Sequence, residues 1–69
     1  MEKPLANKMM QGALSMSEHF NRLTDLSFRI FNEAEQKEFR KSLGEVIGIL
    51  YTEIMMPIIK EYPDLDPDK

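Results

Sequence analysis

The feature that most constrains the fold is a long stretch without proline, in which the apolar residues have helical spacing. Proline occurs at Pro4 and then not before Pro57, Pro63 and Pro67. Between Pro4 and Pro57 the apolar residues recur at intervals of three, four and seven. This is the period of amphipathic helices and not the alternation typical of strands. The sequence therefore predicts an all-α fold.

Two apolar stripes, one in each half of the chain, predict two helices. The first stripe repeats every seven residues and consists of Met9, Met16, Leu23 and Ile30. The second repeats at intervals of three and four and consists of Phe39, Leu43, Val46, Ile47, Leu50, Ile54 and Ile58. Each stripe draws one face of an amphipathic helix. Two helices of similar length with a short connection are typical of an antiparallel hairpin.

Capping and proline signals place the boundaries of these helices. Asn32 followed by Glu35 has the form of a capping box at the start of a helix. We therefore expect helix 1 over about 4–31, a turn at about 32 and helix 2 over about 33–61. Pro57 lacks an amide hydrogen, so helix 2 should kink or restart near that residue. The helical hairpin would span residues 1–62, and an acidic, proline-rich tail would occupy residues 63–69.

An alternative divides helix 1 near Gly12. Gly12 can end a short first helix, and Ser15 with Glu18 forms another capping box. A second helix would then begin at about residue 16. The sequence alone leaves both interpretations open.

The composition excludes several classes of function. The chain has 69 residues, no cysteine and a single histidine, His19. Thiolate catalysis, disulfide bonds and zinc fingers all require cysteine, so the sequence excludes them. No glycine-rich phosphate loop follows a strand, and no Glu-x-x-His pair is present. We expect a protein that is not an enzyme and that holds no cofactor and no metal.

Apolar residues outside the two stripes predict association with another chain. A second row on helix 2 consists of Gly44, Gly48, Tyr51, Met55 and Ile59. One hairpin cannot cover both this row and the first stripe, and soluble monomers rarely expose such surfaces. We therefore expect a homodimer in the form of a four-helix bundle, with this row as the dimer or partner interface. The two glycines would allow close backbone approach there.

His19 carries a separate expectation about pH. Its position in helix 1 predicts an inward orientation at the level of Glu45 in helix 2. A hydrogen bond between His19 and Glu45 would make assembly sensitive to pH near neutrality. The alternative is a structural histidine that is partly buried and hydrogen-bonded.

Charge and hydropathy indicate the type of partner. The net charge of −3 disfavours binding to a phosphate backbone, although Lys8, Arg22 and Arg29 of helix 1 offer a mildly basic face for RNA or DNA. The longest apolar run, residues 46–51, is too short to span a bilayer, and no export signal is seen. We expect a cytoplasmic interaction or regulatory protein with a protein partner of unknown identity. A hairpin dimer that binds nucleic acid is the alternative.

Overall fold

The computed structural model describes residues 1–68 and has an all-α hairpin, as the sequence predicts. The helical elements follow in the order α1 (Lys3–Ser27), α2 (Glu33–Ile49), a π-helical segment (Leu50–Met55), α3 (Met56–Glu61) and a 3₁₀ turn (Pro63–Leu65). No break separates α2, the π segment and α3, which together form one helical arm, here called the second arm. It lies antiparallel to α1.

Helix α1 runs without interruption through Gly12, so the alternative with a break there is wrong. Pro4 lies in its first turn, where a missing amide hydrogen costs nothing. The helix ends at Ser27, four residues before the expected end. Near this end the Ser27 hydroxyl donates to the Thr24 carbonyl oxygen at 2.6 Å. Such side-chain bonds compete with the helical backbone ladder. The connection is therefore residues 28–32, which we call the tip.

Asn32, the N-cap of α2, and Gln36 in the first turns of α2 hold the tip in place. The Asn32 side chain accepts a hydrogen bond from the Glu35 amide at 3.0 Å, which confirms the predicted cap. The Gln36 side chain donates to the carbonyl oxygens of Phe28 at 3.0 Å and Ile30 at 3.4 Å. These carbonyls follow the end of α1 and have no partner within a helix. One turn of α2 therefore satisfies both its own first amides and the end of α1.

Replacing Asn32 with alanine should destabilise the hairpin by about 1 kcal/mol, because the amide at Glu35 loses its acceptor. For a domain of this size the expected fall in Tm is about 4–8 °C. Thermal melts at one fixed protein concentration measure this change. Asn21→Ala is the control, since Asn21 is exposed within α1 and alanine favours helix there. An unchanged Tm for Asn32→Ala would show that the cap does not limit stability.

The π segment lies directly before Pro57 and explains how the second arm passes through a proline. In an α-helix the ring of Pro57 would crowd the carbonyl of Glu53, and that carbonyl would lose its donor. Here the Met56 amide donates to the carbonyl of Tyr51, five residues back, and Pro57 lies in the first turn of α3. A widened turn of this kind inserts about one residue into the helical ladder. The disruption expected near Pro57 thus occupies residues 50–55.

The widened turn shifts which residues of the second arm face α1. The buried positions are Leu43, Leu50, Met55, Ile58 and Ile59. Leu50 and Met55 are five apart, whereas the α-helical period requires three or four. The main core combines the last four of these residues with Ala6, Met10 and Ala13 of α1. Met55 and Ile59, expected at an interface, are therefore 5% and 9% exposed in the core of their own chain.

The end of the chain folds back onto the hairpin. Leu65, in the 3₁₀ turn, packs against the core, and Asp64 forms a salt bridge with Lys3. The Tyr62 hydroxyl donates to the carbonyl of Met1 at 2.8 Å. The acidic segment predicted as a tail is thus anchored through residues 63–65. Lys69, the last residue of that prediction, lies outside the described residues.

Candidate functional site

The hairpin is a single layer of helices, and its surface is large for its mass. Its dimensions are 46 × 19 × 16 Å, and its accessible surface is 5394 Å². A folded monomer of 8.1 kDa is expected to expose about 4500 Å². The excess of about 900 Å² is close to the roughly 800 Å² that each partner buries in a standard protein interface. A single layer also leaves one side of each arm without a covering element.

Much of this surface is a strip of large apolar side chains that we call the apolar face. It consists of Leu5, Met9, Met16 and Leu23 of α1 with Phe39, Val46 and Ile54 of the second arm. Each of these side chains is between 40 and 52% exposed. Isolated apolar residues on a surface are ordinary, but a strip along the whole hairpin is not.

Helical periodicity places the members of the apolar face on the same side of the hairpin. Met9 and Ile54 line one cleft between the arms. Met16 and Leu23 follow Met9 at heptad spacing, so they continue its side of α1. Val46 and Phe39 precede Ile54 at heptad spacing once the extra residue of the π segment is included. The strip is therefore continuous from the tip to the end that carries the termini.

The stripe of α1 that faces the second arm combines small and large residues. Ala6 and Ala13 are buried with Met10, and Ser27 is buried toward the tip. Leu14 and Phe20 are partly buried and pack against the same core. Met9, Met16 and Leu23, which the heptad pattern would place inside, lie on the apolar face instead. No residue of the described chain has a large side chain that is fully buried.

The expected interface row does not form a single surface. Gly44, Gly48 and Tyr51 are exposed, while Met55 and Ile59 are in the core. A Cβ atom built on either glycine meets no atom within 4 Å, so no other part of the described hairpin packs closely against them. Gly48 and Tyr51 share a cleft with Pro67 and Asp68, on the side where the chain end folds back. A contact of Gly44, Gly48 and Tyr51 with another chain stays a prediction.

His19 does not form the expected pair with Glu45. Both side chains are exposed, and no hydrogen bond or salt bridge joins them among residues 1–68. The expected inward orientation of His19 is therefore wrong. His19 follows Met16 by three residues and precedes Leu23 by four, so it turns outward together with that stripe. The proposed pH-sensitive contact does not exist within one chain.

The three basic residues considered for nucleic-acid binding are all exposed. Lys8, Arg22 and Arg29 lie on α1 or directly after it, and none forms a salt bridge within the described range. Glu18 and Asp25 are also exposed near Arg22. The basic side chains are therefore mixed with acidic ones. Binding of RNA or DNA by this surface stays a prediction.

The clefts are shallow and offer little for catalysis. The one lined by Met9, Ile54 and Pro57 has a volume of about 310 Å³, at the lower limit of small-molecule sites, and its charged lining groups are Glu53 and Glu61. Glu61 already pairs with the amino group of Met1 at 3.0 Å. Within residues 1–68 no three side chains of the metal-binding types lie close enough together to hold an ion.

One helical run is long and apolar enough to cross a membrane by length and composition. It is the second arm, Glu33–Glu61, with 29 residues and a mean hydropathy of 1.4 over its most apolar 18 residues. Glu45 and Glu53 lie in its interior. Core helices of soluble proteins meet the same criterion, so this feature alone assigns no location.

No protein-family model, curated protein or solved structure matches the chain.

Proposed function

We propose that this chain is a small non-catalytic interaction protein that acts as a helical homodimer. Two hairpins pack through their apolar faces and form a four-helix bundle. The observation that carries the proposal is the continuous apolar face, whose seven large side chains are all at least 40% exposed in the single hairpin. Burying such surface is the main driving force for association between folded chains.

The size of the uncovered surface supports a second copy as the occupant. The excess of about 900 Å² is close to one side of a standard interface. A two-fold dimer covers the same patch on both copies at once. The bundle would present the exposed Gly44, Gly48 and Tyr51 surface on both outer sides. This surface is where a different protein partner would bind.

The charges support a protein partner in preference to nucleic acid. Each copy carries a net charge of −3, so two copies together carry −6. A phosphate backbone would be repelled by this charge at low ionic strength. A dimer that binds RNA or DNA through Lys8, Arg22 and Arg29 is the weaker alternative, because Glu18 and Asp25 accompany these residues.

The amphipathic character of both arms supports a cytoplasmic dimer over a membrane-spanning form. Ionised Glu45 and Glu53 would each cost about 2 kcal/mol or more in the centre of a bilayer. In the four-helix bundle Glu45, which lies outside the apolar face, would keep the exposure that it has in the single hairpin.

Sedimentation equilibrium of the purified chain tests the proposal. At micromolar concentration we expect twice the mass of the 8.1 kDa chain, and a Tm that rises with protein concentration because only the folded state dimerises. A mass of one copy with a melting transition independent of concentration would overturn the proposed dimer.

A further inference from the structure

The two ends of the hairpin carry charge of opposite sign. The tip region, residues 22–41, has five basic and four acidic residues, for a net charge of +1. The opposite end of the hairpin, here called the open end, comprises residues 1–9 and 53–68. It has three basic and six acidic residues, for a net charge of −3. A dimer with both tips at the same end would place like charges together at each end. Opposite orientations place the tip of one copy beside the open end of the other.

An exposed aromatic residue at the tip adds a second observation. Phe31 is 102% exposed, so its ring contacts nothing in its own chain. The cleft at the open end, lined by Met9, Ile54, Pro57 and Ile58, is mainly apolar and lies on the same side as the apolar face. A ring and an apolar cleft are complementary, and buried aromatic residues in pockets are typical anchors of interfaces.

The positions of these two features along the hairpin match in only one orientation. Met16 and Val46 lie within one residue of the midpoints of α1 and the second arm. From Val46, Phe31 is fifteen residues away in one direction, about 22 Å, and Pro57 is eleven residues away in the other, about 16 Å. A two-fold axis at the midpoint, perpendicular to the helices, brings the tip of each copy to within about one helical turn of the other copy's cleft.

We infer that the two hairpins dock in opposite orientations, so that Phe31 of each tip occupies the apolar cleft beside Pro57 of the other copy. This inference rests on the proposed dimer and specifies its geometry. Glu53 and Glu61 line the cleft, while Lys37 and Arg40 line the surface beside the tip together with Glu33. The two basic side chains near the tip complement the acidic groups of the cleft. In the parallel orientation both Phe31 rings and both clefts would remain uncovered.

Distances between spin labels on single-cysteine variants test the orientation. The sequence contains no cysteine, so the introduced cysteine is the one labelled site in each copy. Lys8→Cys, Ser15→Cys and Arg22→Cys place labels seven residues apart on the exposed outer side of α1. In the inferred dimer the two labels are separated along the axis by about 24, 3 and 18 Å respectively. In a parallel dimer the axial separation is close to zero at all three positions.

Pulsed electron paramagnetic resonance on these three variants should therefore give the shortest distance between the two labels at residue 15 and longer distances at residues 8 and 22. Equal distances at all three positions would overturn the inferred orientation and leave the proposed dimer intact. The mass of each labelled variant is measured by sedimentation. A single-copy mass for the unlabelled chain would overturn both the dimer and its orientation.

The role of the aromatic anchor is tested by Phe31→Ser. Loss of a buried phenylalanine should raise the Kd of the dimer by about tenfold or more. Tyr51→Ser is the matched control, because Tyr51 is also an exposed aromatic residue but lies beside Gly48 on the side where the chain end folds back. We expect its Kd to change by less than about threefold, as is usual for surface substitutions. An unchanged Kd for Phe31→Ser would show that the ring does not enter the cleft.

Discussion

Met16→Glu should convert the dimer into single chains at concentrations where the parent is fully dimeric. Met16 lies at the centre of the apolar face and within one residue of the midpoint of α1. In a two-fold dimer the two new carboxylates would be close together and out of water. A buried charge without a partner costs about 3–5 kcal/mol, which corresponds to an increase in Kd of about 100-fold or more. Sedimentation equilibrium measures the change directly.

Ser15→Glu is the matched control for this substitution. It adds the same charge one residue earlier, on the exposed side of α1 that faces away from the second arm. We expect the mass and the Tm of this variant to stay close to those of the parent, since such surface substitutions change stability by about 0.5 kcal/mol or less. If Met16→Glu remained dimeric while Gly44→Leu or Gly48→Leu dissociated, the interface would lie on the glycine side, as the sequence alone suggested.

Deleting Thr52 together with Pro57→Ala should give a hairpin at least as stable as the parent. Thr52 is exposed within the π segment, and the spacing of five between Leu50 and Met55 would become a regular spacing of four. The core residues after the deletion would keep their orientation toward α1. Without the proline the regular helix meets no clash, whereas Pro57 kept in the interior of a regular helix would cost about 3 kcal/mol. Thermal melting followed by circular dichroism provides the measurement.

Deleting Ser42 is the control that isolates the effect of register. Ser42 is also exposed, but it lies in the regular helix α2. Its loss rotates all following residues by about 100° relative to the preceding part of the arm and removes Leu50 and Ile58 from the core. Each large core side chain is worth about 2–5 kcal/mol, so we expect no cooperative unfolding transition. Equal loss of the transition in both deletions would show that the π segment is not a simple insertion.

The number and order of the helices could be predicted from the sequence. The exact end of α1 and the way in which the second arm accommodates Pro57 could not. Asn32 and Glu35 mark the start of α2 because capping is a local interaction between residues close in sequence. A proline in a helix can be accommodated by a kink, a restart or a widened turn, and the local sequence is the same in each case. The widened turn is favoured here because it keeps Met55 and Ile59 in the core. That benefit depends on packing against α1.

The assignment of inner and outer faces of α1 failed for a related reason. Hydropathy ranks Met9, Met16 and Leu23 above Ala6 and Ala13 and therefore predicts the larger residues inside. The structure instead buries Ala6 and Ala13 together with Met10, and Met9, Met16 and Leu23 face outward. A pattern of apolar residues shows that a face will be covered, but it does not show whether its own chain or another chain covers it.

Because the hairpin is thin, the proposed dimerisation would make its stability depend on the amount of chain that a cell makes. In the proposed dimer, a layer 16 Å thick with no large side chain fully buried among residues 1–68 would gain stability on pairing. At concentrations below the Kd the dimer pool would vary with the square of the total, so halving synthesis would reduce it about fourfold. The unpaired remainder would be open to proteases. Supply of the chain would thus act as a steep control on its activity.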